Sequence, residues 1–204
     1  MEQIFPAIRY RAATFGDLPT VVQIHLTAFP TFFMTQLGPN FLTYYYKLVL
    51  DDPWRIFIVA ENSIAVLGFV SGTLHPQRFY QQLRKHRWCL ITKVIIALLR
   101  EPLLLTRLIA SYARAGHTAD SFHNETCELT SLAVNPTCAG HGIGKGLVTT
   151  FIGLVRGKRQ KITLTTETTN NEKVNAFYHN LGFRIEESFY ASKGRKLNKY
   201  FLRI

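Results

Sequence analysis

The chain has 204 residues, 47% hydrophobic and 18% charged, enough for one sizeable core and too little for two comfortable domains. Twenty-four lysines and arginines against 13 acids give a net charge of +11, so an anionic partner is expected, although charge alone does not choose among nucleic acid, a phosphorylated metabolite and an acidic membrane surface. Three cysteines without a C-x-x-C pair argue against a disulfide framework and suggest no metal site. No stretch stays apolar and uncharged for the ~18 residues of a membrane span, so a soluble, cytoplasmic protein is expected.

In chain order, residues 4–12 alternate as a first strand. Asp17 stands where a side chain caps an amphipathic helix reaching Phe29, with Val21, Ile24 and Leu26 among its apolar positions. A second helix is expected over 40–50. Residues 55–60 and 65–74 are rich in Ile, Val and Phe and flank Glu61, Asn62 and Ser63, the composition of a hairpin. A strand is expected at 127–134, a helix at 142–155 and a β-branched strand at 161–167. Asn170 or Asn171 can cap the short helix that follows, and Gly182 ends it in the left-handed conformation. Residues 183–190 and 197–204 close the chain as a strand pair, joined by the Lys193-Gly194-Arg195 turn. The expected class is α/β, a mixed and mostly antiparallel central sheet of about six or seven strands flanked by helices.

Residues 75–122 break that rhythm. They read as a helical insertion between sheet strands, within a single domain over 1–204, and Pro102 opens a second helix there. The block carries Arg78, Arg84, Lys85, Arg87, Lys93, Arg100, Arg107 and Arg114 against Glu101 and Asp120. Lys93, Arg100, Arg107 and Arg114 recur every seven residues, which on continuous helices makes one slowly drifting stripe. The plain reading of that stripe is the solvated face of an amphipathic pair.

Residues 134–146 read V-N-P-T-C-A-G-H-G-I-G-K-G, a glycine-dense turn after a strand and before a helix. Gly140, Gly142, Gly144 and Gly146 lack β-carbons, so successive N–H groups can converge on a phosphate with the helix N-terminus behind them. Alone, such a turn would cradle any phosphate.

Two motifs narrow it. Leu132-Ala133-Val134-Asn135-Pro136 leading to Ala139-Gly140-His141-Gly142-Ile143-Gly144 is similar to the Q/R-x-x-G-x-G/A loop of the GNAT superfamily of N-acetyltransferases. Asn171 through Phe177-Tyr178-His179-Asn180-Leu181-Gly182-Phe183 resembles that family's N-x-x-x-x-x-F-Y-x-x-x-G-F segment. The resemblance covers 128–183 and leaves the 75–122 block outside. It implies acetyl-CoA as cosubstrate, its pyrophosphate held by residues 139–144, with Lys145 and Asn171 beside it. It also implies a bulged strand whose backbone near Leu132, Ala133 and Val134 pairs with the pantetheine arm and polarises the thioester carbonyl. Ala139 departs from the pattern, standing where the family has Gln or Arg, and Lys145 at the helix start or a nearby Arg is the expected replacement for that contact.

Acyl transfer to an amine needs a neutral amine, a polarised carbonyl and a protonated leaving thiolate. Glu128, six residues before Val134, resembles the base of the family's histone-acetylating branch. Alternation places Glu128, Thr130, Leu132 and Val134 on one face. A structural acid at the strand edge is the alternative reading, and Glu167 is the competing carboxylate. Tyr178 is the candidate acid, against the plain reading of an aromatic packed beside Phe177 and Phe183. Asn171 caps a helix, touches the cofactor, or does both. His25 reads as a helix-surface or packed histidine, His123, His141 and His179 have no Ser or Cys partner at a nucleophile-like turn, and Cys127 and Cys138 read as small packed residues.

The expected activity is transfer of an acetyl group from acetyl-CoA to a primary amine of a small molecule, an amino-sugar nucleotide among the options, by direct attack. The alternatives are a non-catalytic CoA- or nucleotide-binding module and an acetyltransferase of protein amines. For the basic block, a phosphorylated acceptor and an anionic membrane surface over 78–114 are the two functional readings, the second supported by Trp88 and Phe79 beside Arg87 and Arg84. Nucleic acid ranks behind both, because the cations are interleaved with aliphatics rather than stacking aromatics. The sequence does not name an oligomeric state.

Overall fold

The computed structural model describes residues 7–86, 88–92, 125–191 and 195–204. Seven strands form one sheet in the order β1-β2-β3-β4-β5-β7-β6, with β1 Arg9–Ala12, β2 Arg55–Glu61, β3 Val66–Thr73, β4 Thr126–Val134, β5 Lys161–Glu167, β6 Arg184–Tyr190 and β7 Lys196–Arg203. Among the described residues only β4 and β5 pair in parallel, and the other pairs are antiparallel. The helices are α1 Leu18–Ala28, α2 Phe33–Gln36, α3 Pro39–Asp51, α4 Pro76–Lys85, α5 Ile143–Val155 and α6 Glu172–Asn180.

The continuous apolar run in β2 reflects a sheet covered on both faces. Ile56, Ile58 and Ala60 face one core with Leu147, Phe151 and Val155 of α5, while Phe57 and Val59 face the other with Val21 of α1 and Leu42 and Tyr46 of α3. Period two thus divides one strand between two cores. The β1–β2 edge is fastened by Arg11, which bonds Asp17 at 2.8 Å and Glu61 at 2.8 Å.

Several expectations change in detail. The first strand is confined to Arg9–Ala12 among the described residues, and 1–6 lie outside them. Asp17 occupies the position before α1 without capping it by its side chain. The carboxylate instead accepts from Thr14 N–H at 2.7 Å and from Arg11, which holds its pKa down at about 2. The short α2, which the alternation did not signal, fills the turn between α1 and α3. Gly182 has φ +87°, as its place after α6 requires.

The 75–122 block begins as expected with a helix, α4, and continues helical over 88–92. Pro102, Arg87, Lys93, Arg100, Arg107 and Arg114 lie outside the described residues, as does most of the Lys193-Gly194-Arg195 turn. Phe79 is buried in the α1/α3-side core and so gives no support to a membrane contact; Trp88 is exposed. Among the described residues no helix is long and apolar enough to cross a membrane.

Candidate active site

The parallel pair is short. Thr126, Cys127 and Glu128 pair with Lys161, Ile162 and Thr163, and beyond that β4 continues against β3 while β5 continues against β7. The two strands therefore diverge towards Val134 and Glu167, and their facing backbone groups leave the ladder. A gap opens at the sheet centre with Glu128 at its foot.

A bulge in β4 shapes this gap. Ser71 opposes Ser131 and Gly72 opposes Leu129, so Thr130 is the extra residue, and its hydroxyl bonds back to Ser71 O at 3.1 Å. Gly72 permits the close approach, since a Cβ there would meet Glu128 O at 2.3 Å. The bulge corrects the expected alternation. Cys127 and Leu129 pack in the α5-side core, and after the extra residue so do Leu132 and Val134, whereas Ala133 now joins the α1/α3-side core. Glu128, opposite in parity to its neighbours Cys127 and Leu129, does not share the face of Leu132 and Val134.

Glu128 meets α4. Tyr80 donates its phenolic hydrogen to Glu128 Oε1 at 3.1 Å, and Oε2 is buried with no hydrogen-bond partner among the described residues. Burial raises the carboxyl pKa to about 7, with the Tyr80 bond and the charge of Lys199 acting the other way. The environment of Tyr45 on α3 also carries the Glu128 charge. Sequence reasoning missed Tyr80, and nothing in the polar helix Pro76–Lys85 would have singled it out. The rival carboxylate, Glu167, is engaged by Arg195 at the far end of β5.

At the other end of the gap, Asn135 Oδ1 accepts from Thr137 N–H at 3.2 Å and starts a 3-10 turn, Pro136–Cys138. Ala139 follows with its N–H bonded to Pro136 O at 3.2 Å. Gly140 and Gly142 have φ +86° and +76°, the left-handed region that favours glycine. The first helical bond runs from Gly146 N–H to Gly142 O at 2.9 Å, so the N–H groups of Ile143, Gly144 and Lys145 precede the helical ladder and point out of its N-terminus. Ile143 is buried and anchors the turn; Ala139, His141 and Lys145 are exposed around it. Gly146 is not part of a cradle, because its N–H is spent inside α5 and its open Cα faces Tyr10.

Asn171 stands before α6 but does not cap it; its Nδ2 donates to Thr166 Oγ1 at 2.7 Å and to Glu167 O at 3.0 Å, tying α6 to the end of β5. Tyr178 is buried, with ring centroids 5.2 Å from Phe177 and 5.6 Å from Phe183. Burial pushes its phenol pKa up, so it stays protonated. Phe177 in turn lies 3.6 Å from where a Cβ of Gly144 would be, which seats α6 against the start of α5. His25 is packed as expected, with Nδ1 2.7 Å from Tyr46 Oη and its pKa lowered to about 4 by burial. No cluster of three or more metal-ligating side chains occurs among the described residues.

Residues 105–183 match the model of the Acetyltransferase (GNAT) family. Over that segment the chain is similar to GNAT acetyltransferases. The matched family is one of acyltransferases, and the match begins inside the 75–122 block rather than after it. The fold is similar to that of a GNAT-family acetyltransferase from Desulfovibrio desulfuricans, at 16% identity and TM-score 0.64, covering 97% of this chain and 99% of the other. A ribosomal-protein-alanine N-acetyltransferase from Escherichia coli aligns at 12% identity and TM-score 0.60 over 97% and 94% of the two chains. Mutant forms of the spermidine/spermine N-acetyltransferase from Vibrio cholerae align at 13% identity and TM-score 0.56 over 97% and 95%. No curated protein sequence matches the chain significantly.

Proposed function

We propose that this chain is a GNAT-type acetyltransferase that transfers an acetyl group from acetyl-CoA to a primary amine of a small molecule by direct attack. The observation that carries the reading is Glu128, whose buried, unpartnered Oε2 stands at the foot of the gap between β4 and β5. A carboxylate with a pKa near 7 is matched to proton transfer at neutral pH and is costly to bury for packing alone.

Residues 139–145 fit a pyrophosphate, through the left-handed Gly140 and Gly142 and the N–H groups at the start of α5. The Ala139 methyl adds nothing to that, and Lys145 supplies the nearby charge. The unpaired edge of β4 at Leu132, Ala133 and Val134 suits the amides of the pantetheine arm, and one of its N–H groups the thioester oxygen. Glu128 Oε2 takes the proton the amine loses as its nitrogen bonds the carbonyl carbon. Tyr178 gives its phenolic proton to the sulfur as the C–S bond breaks, and solvent reprotonates it. The products are the acetamide and the free thiol of CoA.

The net charge of +11 favours a phosphorylated acceptor, and an amino-sugar nucleotide heads the panel to test. Exposed Trp88 near Arg84 and Lys85 supports contact with anionic lipid. Thiol release from acetyl-CoA is measured against amino-sugar nucleotides, free amino sugars, polyamines and peptide α- and ε-amines, beside calorimetry with CoA. Release with one small amine class sustains the reading. Release with peptides alone makes the chain a protein acetyltransferase, and binding without release for any amine makes it a non-catalytic module.

A further inference from the structure

We propose that Tyr80, on the helix that opens the 75–122 block, is the positioning residue of Glu128: its phenol holds Oε1 and leaves Oε2, which has no partner among the described residues, at the foot of the gap. The inference deepens the base role assigned to Glu128 and rests on it.

Two neighbouring residues fix α4 in place. Phe79 is 2% exposed and inserted into the α1/α3-side core, and Tyr80, one position on, reaches the sheet to donate to Glu128 Oε1 at 3.1 Å. Tyr80 is half-buried, and desolvation of its phenol raises the pKa well above the usual value, so it remains a donor over the whole working range. The carboxylate therefore has one oxygen satisfied by a neutral donor and one with no partner among the described residues. That asymmetry is what a directional base needs, because a carboxylate free to rotate would divide its lone pairs between the pocket wall and the amine.

Among the described residues, Tyr80 of α4, Tyr45 of α3 and Lys199 of β7 face Glu128, and the Cys127 thiol lies behind it on the opposite face of β4, close enough to feel its charge. The Tyr45 phenol and the Cys127 thiol both have raised pKa values and are neutral near pH 7, so Tyr80 and Lys199 are what favour the anion against burial. Lys199 is shared with Glu186 and Glu187 at 3.4 Å each. Tyr80 makes the direct contact.

The sign follows. Removing the phenol removes a stabiliser of the charged form, so the Glu128 midpoint must rise, by about one pH unit for a hydrogen bond to a charged group. The glycine turn lies at the other end of the gap, so acetyl-CoA affinity must not change. A purely structural role for Tyr80 would lower the rate equally at all pH values.

The test titrates the Glu128 carboxyl by carbon-13 NMR in the substrate-free full chain, wild type against Tyr80→Phe, with calorimetric binding of acetyl-CoA alongside. A midpoint raised by about one unit, with unchanged acetyl-CoA affinity, is expected. An unmoved midpoint in the folded variant overturns the proposal. If Tyr80→Phe does not fold, 3-fluorotyrosine at position 80, a more acidic donor, must lower the midpoint, and an unmoved value there overturns it equally. A midpoint shift together with full turnover by Glu128→Gln keeps the Tyr80 contact and removes the base role on which it rests.

Discussion

Tyr10 of β1 and Gly146 of α5 compete for one volume: a Cβ on Gly146 would lie 1.8 Å from Tyr10 Oη and 2.3 Å from its Cζ. The glycine lets the helix settle against the edge strand, in the core that also holds Leu147 and Phe151. Gly146→Ala is therefore expected to destabilise the fold by about 1–3 kcal/mol through overpacking, read as a lower melting temperature. CoA affinity stays unchanged, and Tyr10→Leu in the same chain restores most of the loss. A fall in CoA affinity without a fall in stability would return Gly146 to the cradle.

Gly142 responds in the opposite way. With φ +76° and open space where a methyl would stand, Gly142→Ala meets backbone strain rather than a clash, on the order of 1–2 kcal/mol. The turn relieves that strain by giving up its conformation, so CoA binding measured by calorimetry is expected to weaken about tenfold. Unchanged affinity would mean that the N–H groups from this turn do not hold the pyrophosphate.

Glu128 links stability to pH. Its folded pKa is near 7 against an ordinary value of 4.5, so between those values the folded chain binds more protons than the unfolded chain. Stability contributed by this group falls as pH rises through that window and is level above it. Glu128→Gln, neutral throughout, is expected to be more stable than wild type at pH 8, by up to about 3 kcal/mol, and nearly equal at pH 4. Thermal melts at the two pH values check the sign.

Tyr178→Phe keeps the ring that packs against Phe177 and Phe183 and removes only the hydroxyl. If the phenol protonates the leaving sulfur, kcat falls by about 10²-fold or more with little change in acetyl-CoA affinity. Unchanged turnover across the pH range would leave Tyr178 a core aromatic.

What the sequence made legible follows from local chemistry. Lys161–Glu167 is legible because β-branched Ile162, Thr163, Thr165 and Thr166 fill it between two charged ends, and Gly140, Gly142 and Gly182 announce turns that need positive φ. The Thr130 bulge is not written in any spacing: it arises where β3 and β4 meet, and one extra residue moves Leu132 and Val134 to the face opposite Glu128. The Tyr80–Glu128 bond spans 48 positions and joins two elements that share no local pattern. Gly146 belongs to the glycine run by composition alone; only the approach of β1 shows it to be a packing residue.

The role of Glu128 as base is read from the pH dependence of kcat/KM for the best acceptor, wild type against Glu128→Gln. The expected result is a wild-type profile with an acid limb near pH 7, and a variant slowed about 10²-fold at neutral pH with that limb gone. A variant that keeps both its rate and its acid limb would contradict the account.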